Sequence, residues 1–170
     1  MPAPQITRTV FTTSRTLEFF TERELSMQLG VPPDRWGLAI LKELIDNALD
    51  ACEDASIAPE IAVEISTTGT LTVRDNGSGI PPDVVERLTY LRVKTSSREA
   101  YVAPTRGAQG NALQTILAMP FALDGATGRT VIEAHGVAHT IDFTIDHVHR
   151  VPRVAVARNL SFVKNGTCIT

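Results

Sequence analysis

A chain of 170 residues, 43% hydrophobic and 21% charged, suffices for one globular domain with its own core. Its formal charge of −3 gives no global attraction for nucleic acid or an anionic membrane, so such binding would need a local patch or further chain. Two cysteines, Cys52 and Cys168, are too few for a disulfide framework and lack metal-ligand spacing; with no signal-peptide core and no bilayer-length apolar run, the expectation is a soluble, cytoplasmic domain that contacts no membrane.

Residues 1–14 are polar and threonine-rich and read as an arm or edge strand, ahead of a single domain at 15–170. Thr21 and Glu24 stand at capping-box spacing, which predicts a short helix ending near Gly30. After the break "VPPD", Asp34 can cap a second helix that extends to about Ala55. Ile61, Val63 and Ile65 alternate as in a half-buried strand, and "TTGT" turns the chain into "LTVRD", so 60–75 reads as a hairpin. Pro81 and Pro82 open a helix at roughly 82–91, and a long polar stretch from Lys94 leads into an apolar helix at about 110–118. Strands follow at about 129–135, 137–145 and 152–158, and "GTCIT" opens another. Helices and strands are segregated, which predicts an α+β two-layer sandwich with a mixed, mostly antiparallel sheet and helices on one face.

The second helix carries "KELIDNALDACEDA", whose polar side collects Glu43, Asn47, Asp50 and Asp54, with Asp46 at the edge. Like charges one turn apart cost a few tenths of a kcal/mol, roughly. A solvated acidic face is one reading of this helix. The other is that part of the face looks into a site. There Glu43 would polarise a water and Asn47 would supply an amide oxygen to Mg²⁺, which prefers oxygen donors and takes the rest from water and phosphates.

Two glycine-rich stretches bear on that choice. "RDNGSGIPP" follows a strand directly; "DNG" alone signals a tight turn. Gly77 and Gly79 would also let the backbone approach something flat and bulky, and Asp75 could accept a hydrogen bond from an exocyclic amine such as that of adenine. "TRGAQGNALQTI" places Gly107 and Gly110 before a helix, whose free N–H groups favour phosphate, although a flexible connector would look the same. It is neither a P-loop nor a dinucleotide fingerprint.

Together, "KELIDNALDA", "VRDNGSGI", "RGAQGNA" and "NGTCIT" resemble, in family order, the N box, the two glycine boxes and the Gly-Thr box of the Bergerat-fold (GHKL) ATPases. Within that superfamily the likeness is greatest to the B-subunit family of type IIB topoisomerases (topoisomerase VI), through "LEFFTERELSMQLGVPPDRWGLAILKELIDNALDA" and the spacing from Ser97 to Gly107. The resemblance covers about residues 15–170. It implies a Mg²⁺-dependent ATP-hydrolysing enzyme that is part of a DNA topoisomerase. In such a protein ATP drives pairing with a second copy, an A-type subunit cuts DNA, and DNA is handled by regions outside this chain.

Carried over by motif, Glu43 would activate the attacking water, Asn47 would bind Mg²⁺ and Asp50 would lie near the nucleotide. Asp75 would bond the adenine amino group, with Gly77, Gly79 and Ile80 in the wall beside it and the Thr167 hydroxyl completing the contacts. Arg106, Gly107, Ala108, Gln109, Gly110 and Asn111 would form the lid over the phosphates, approached by Lys94, Ser96, Ser97 and Arg98. Ala112 replaces the last glycine of the usual lid, and Arg98 replaces a lysine. The family draws a phosphate-sensing lysine from a following transducer domain; only Lys42, Lys94 and Lys164 occur here, so slow turnover is expected of these 170 residues. The same fold also serves histidine-kinase catalytic domains, against which Glu43 argues, and ATP-binding regulators that have lost hydrolysis, which Ala112 leaves open. The "HVH" pair, His147 and His149, lacks a third ligand nearby and reads as surface histidines, and Trp36 as a packing residue.

Overall fold

The computed structural model describes residues 21–89, 111–125, 127–146, 148 and 151–170. The arm expected at 1–14 lies outside them.

Helix α1 (Glu22–Leu29) starts at Thr21, whose Oγ1 accepts the Glu24 N–H at 3.3 Å. It stops at Gly30, which takes φ 69° and donates its N–H to the Ser26 carbonyl. Helix α2 (Trp36–Asp54) grows out of a 3-10 turn at Pro33–Arg35. The cap expected from Asp34 is not made, because Asp34 sits inside that turn and Arg35 takes the cap position without a side-chain bond. Backbone carbonyls of Pro32 and Pro33 already accept the Arg35 and Trp36 N–H groups, so a carboxylate has less to satisfy. Trp36 is fully buried, as a packing residue should be. Beyond it only the stripe Leu44, Ala48 and Cys52 is buried, while Leu38 and Leu49 stay 67% and 42% exposed. The buried stripe is narrower than the apolar arc.

Strands β1 (Ala62–Ile65) and β2 (Leu71–Arg74) form the expected hairpin, in register from Ala62 opposite Arg74 to Ile65 opposite Leu71. The expected half-burial of β1 fails. It is an edge strand, with Val63 and Ile65 exposed, and only the preceding Ile61 packs against the core. Helices pack instead on β2 and on two later strands, β3 (Thr127–Ala134) and β4 (Val137–Asp146).

After α3 (Pro82–Thr89), helix α4 runs Asn111–Asp124, well past the expected end near 118 and through Pro120. Ile116, Leu117, Ala118, Met119 and Phe121 are all buried, because α4 lies on β3 and β4 while α1, α2 and α3 touch it from other sides. A helix enclosed this way is apolar all round. Gly128 makes room for it, since a Cβ there would sit 2.4 Å from the Phe121 nitrogen.

Strands β5 (Val151–Leu160) and β6 (Thr167–Ile169) complete a sheet of order β1-β2-β6-β3-β4-β5. Every described pairing is antiparallel, so the sheet is simpler than the mixed one expected. The α+β two-layer sandwich is as read from the sequence. On β3, Gly128, Thr130, Ile132 and Ala134 are buried and the residues between them are not, which puts the core on the helix-bearing face. Among the described residues, no helix is long and apolar enough to cross a membrane.

One buried polar residue carries a pH consequence. His139 is 2% exposed beneath the ion pair between Arg158 and Glu86, and its Nε2 has no hydrogen-bond partner among the described residues. Burial, and then the Arg158 charge, lower its pKa from the ordinary 6.5, against smaller opposing effects of Glu86 and of a hydrogen bond with the Ile132 backbone. Below the ordinary value the unfolded chain therefore binds a proton that the folded chain resists. The neutral ring's contribution is fully present above pH 6.5 and is lost as pH falls from there toward the depressed folded value. Thermal melts of wild type and His139→Leu from pH 7.5 to pH 5 should show a steeper loss of Tm in wild type; parallel curves would refute this linkage.

Candidate functional site

Three segments end at the same end of the sheet. Arg74 on β2 pairs with Cys168 on β6, and Thr167 on β6 pairs with Ala134 on β3, so Asp75, Thr167 and the β3–β4 turn converge. Asp75 and Thr167 are 8% and 3% exposed. The Asp75 N–H donates to the Thr167 carbonyl at 2.9 Å. Its Oδ1 accepts two backbone donors, Gly77 N–H at 2.8 Å and Thr167 N–H at 3.1 Å. Oδ2 has no protein donor among the described residues, and neither does the Thr167 hydroxyl have a protein partner. An aspartate with one oxygen engaged this way is oriented and still offers an acceptor.

The closeness of this joint depends on Gly166. It takes φ +72°, and a Cβ on it would fall 1.9 Å from the Asp75 carbonyl oxygen. No other residue fits.

Asn76 and Gly77 tie this corner to α2. Asn76 Oδ1 accepts the Glu60 N–H at 2.9 Å and the Cys52 thiol at 3.2 Å, and its Nδ2 donates to the Ala58 carbonyl at 3.1 Å. Gly77 lies against Ala51 so closely that a Cβ would meet the Ala51 Cβ at 2.7 Å. Ala51 is two turns on from Glu43 and one from Asn47 along a single stripe. With a rise of 1.5 Å per residue, Asn47 lies about 6 Å and Glu43 about 12 Å along the helix from the Ala51–Gly77 contact.

The side chains on this stripe differ in kind. The Asn47 amide makes no hydrogen bond among the described residues although its Nδ2 is buried, which leaves a polar group in need of a ligand or water. Glu43 is one-third exposed and lies 3.6 Å from the Lys42 ammonium. That ammonium is held by Asp46 at 2.5 Å; the Asp46 hydrogen bond, then the Asp46 and Glu43 charges, raise the lysine pKa. The helix therefore does carry a positive charge for its acidic face, placed on Asp46. Asp50 is half-buried, and Asp54 is exposed. A recess of about 480 Å³ borders Asp75 and Asn76, but its other lining residues, Glu60, Ile61, Ala62, Arg74 and Asn165, belong to the β1–β2 side, apart from Glu43 and Asn47.

The structure thus brings Asp75, Gly77, Gly79 and Thr167 together, sets Asn47 and Glu43 on the adjoining helix, and packs Ile80 against the core. Lys94, Ser96, Ser97, Arg98, Arg106, Gly107, Ala108, Gln109 and Gly110 lie outside the described residues, as do His147 and His149. Asn111 opens α4, which makes Ala112 helical; alanine suits that backbone, so the missing glycine creates no strain there. Among the described residues no three histidine, cysteine or acidic side chains group as a metal site.

Four residues that build this corner carry little or no signal in the sequence. Asn76 was legible only as part of a turn signal, although an asparagine within such a turn can satisfy neighbouring backbone. Ala51 is an ordinary small residue until Gly77 is found against it. Gly166 had a motif but no assigned work, and His135 had no signal.

Residues 37–169 match the family described as histidine kinase-, DNA gyrase B-, and HSP90-like ATPase. The B subunit of type 2 DNA topoisomerase 6 from Natronomonas pharaonis is 31% identical over 159 residues, which is 89% of this chain and 20% of that protein. The protein of the same name from Metallosphaera sedula is 40% identical over 106 residues, 59% of this chain and 19% of its own length. The one from Archaeoglobus fulgidus is 40% identical over 76 residues, covering 43% and 12%. This chain therefore spans a fifth or less of the curated relatives it matches. Among solved structures, the 43K ATPase domain of Thermus thermophilus gyrase B in complex with an aminocoumarin aligns with a TM-score of 0.47 at 22% identity, over 91% of this chain and 39% of that one.

Because both space and φ forbid a side chain at Gly166, Gly166→Ala should cost about 4 kcal/mol or more, far above an ordinary surface substitution. Chemical denaturation measures it. A loss below about 1 kcal/mol would mean that the Asp75–Thr167 joint can open without consequence.

Proposed function

This chain belongs to the histidine kinase-, DNA gyrase B-, and HSP90-like ATPase family, and from that premise we propose that it is the Mg²⁺-dependent ATP-binding and ATP-hydrolysing module of a type IIB topoisomerase-like protein. The observation that carries the reading is the Asp75 carboxylate. Buried, with Oδ1 saturated by the Gly77 and Thr167 N–H groups, it keeps Oδ2 as an acceptor suited to the exocyclic amine of adenine. The Thr167 hydroxyl would add a second contact, and Gly77 and Gly79 would let the loop backbone lie flat against the base.

From the base, the nucleotide would run along α2. Asn47, whose amide has no protein partner among the described residues, fits a magnesium ligand, because its oxygen is the hard donor such an ion takes. Bound there, Mg²⁺ would offset phosphate charge, including the repulsion from the acidic face. Glu43, partly exposed and next to Asn47 on the stripe, would accept the proton of the attacking water. Asp46 would keep the Lys42 ammonium to itself rather than leave it on Glu43. Asp50 would lie near the nucleotide. The phosphates would be covered by Arg106, Gly107, Ala108, Gln109, Gly110 and Asn111, approached by Lys94, Ser96 and Ser97.

In the full protein, ATP binding would drive pairing with a second copy, and an A-type subunit would act on DNA through regions beyond this chain; the setting would be cytoplasmic. A kinase-type or purely regulatory use of the same fold would not need Glu43 as a base.

Titration of ATP with Mg²⁺ by calorimetry tests the site. Wild type should bind. Asp75→Asn should stay folded, since an amide oxygen still accepts the Gly77 and Thr167 donors, yet lose at least about tenfold in ATP affinity because Oδ2 becomes a donor. Equal affinity in the two proteins refutes the assignment of Asp75. Glu43→Ala should bind ATP normally while the full-length protein hydrolyses it about 10² to 10⁴ times more slowly. A full-length variant that turns over at the wild-type rate removes Glu43 as the base and favours the regulatory reading.

A further inference from the structure

The β3–β4 connection is a two-residue turn, since Ala134 pairs with Val137 across His135 and Gly136. Both turn residues adopt positive φ, 51° at His135 and 77° at Gly136. Such turns strongly favour Asn-Gly, Asp-Gly or Gly-Gly, because the first position is strained for most side chains. Histidine tolerates such a φ better than most side chains, yet Asn or Gly fits the position at less cost, so the ring's presence asks for a reason.

What the ring touches supplies the reason. Gly79, in the loop that follows Asp75, is buried at φ +80°, and no hydrogen bond holds it among the described residues. Among the described residues, packing is what sets its place. A Cβ built on it would lie 2.9 Å from the Gly166 carbonyl oxygen and 3.0 Å from His135 Nε2, with Cε1 at 3.3 Å. The imidazole and the Gly166 carbonyl therefore both crowd the side of Gly79 where a Cβ would stand. Without the ring, a glycine with no side chain, and with no hydrogen bond among the described residues, would be freer to leave the conformation in which Gly77 and Asp75 are aligned.

We infer that His135 is a positioning residue for adenine-nucleotide binding, its ring fixing the Gly79 backbone so that the loop after Asp75 is preformed for the base. This rests on the reading of that loop as the adenine wall. His135 does not itself touch the nucleotide. Its contribution is pre-organisation, which sets affinity by lowering the ordering cost of binding. Because the loop faces the base rather than the phosphates, ADP and ATP should lose affinity equally when the ring is removed.

The test is His135→Gly and His135→Asn in the 170-residue chain, both of which suit the turn better than histidine. Thermal unfolding and calorimetric titration with Mg²⁺–ATP and Mg²⁺–ADP are measured for each. The expected result is a split: Tm unchanged or raised, with affinity for both nucleotides reduced by about fivefold to tenfold. Unchanged affinity would overturn the inference, as would a fall in Tm alongside affinity, which would make His135 merely structural. Wild type that binds neither nucleotide would overturn the site reading and this inference together. Wild-type binding that both variants retain would overturn this inference alone.

Discussion

The architecture hangs on one carboxylate that serves two loops. Asp75 stands where β2 ends, and its Oδ1 gathers N–H groups from Gly77 ahead of it and from Thr167 on β6. Strand β6 has three residues, yet it lies between β2 and β3, so it joins the β1–β2 hairpin to the β3–β4–β5 meander. Reciprocal backbone bonds between Val131 and Thr170 lengthen that seam on the β3 side. A strand this short contributes little by propensity. It is held by burial of Thr167, Cys168 and Ile169 and by the Asp75 joint, which exists because Gly166 has no side chain. The same joint leaves Oδ2 as an oriented acceptor at the end of the sheet. Closing the fold and orienting this carboxylate are here a single act.

Helix α2 divides its labour by face. Leu44, Ala48 and Cys52 anchor it to the core, while Glu43, Asn47 and Ala51 run up the neighbouring side toward the glycine loop. Asn76 then locks the end of the helix to the chain that follows, through Cys52, Ala58 and the Glu60 N–H. A rigid helix presenting an amide with no hydrogen bond among the described residues, next to a carboxylate, is a more exact platform than a loop, since each residue's position follows from the helix repeat. The acidic face that looked costly is relieved in two ways: Lys42 neutralises Asp46, and the amide of Asn47 interrupts the row of charges.

Much of this was legible in the sequence because it is local. Hairpin β1–β2, the helix start at Thr21 and the segregation of helices from strands rest on spacing and turn chemistry, and those operate within a few residues. The order of the sheet was not legible, since β6 pairs with strands far away in sequence and nothing in "GTCIT" names its neighbours. Exposure of Val63 and Ile65 defeated the alternation rule because period two reports a face and not whether anything covers it. At the corner of the sheet, Asp75, Gly77 and Thr167, which the structure brings together, could be picked out through motif company. The contact of His135 with Gly79 could not be read in advance, for it depends on a turn meeting a loop more than fifty residues earlier. Ala51 and Gly166 matter through what they lack, and an absent atom has significance only once its neighbours are placed.

The joint between Asp75 and Thr167 also imposes a timetable. The two residues are 92 positions apart. At a synthesis rate of 5–20 residues per second, a nascent chain would wait roughly 5 to 20 seconds between making the carboxylate and making its partner. Throughout that interval β2 has no inner neighbour, and the loop after it has only one of its two tethers. The corner around Asp75 is therefore completed only once Thr167 has been made, well after the β1–β2 hairpin that carries the carboxylate.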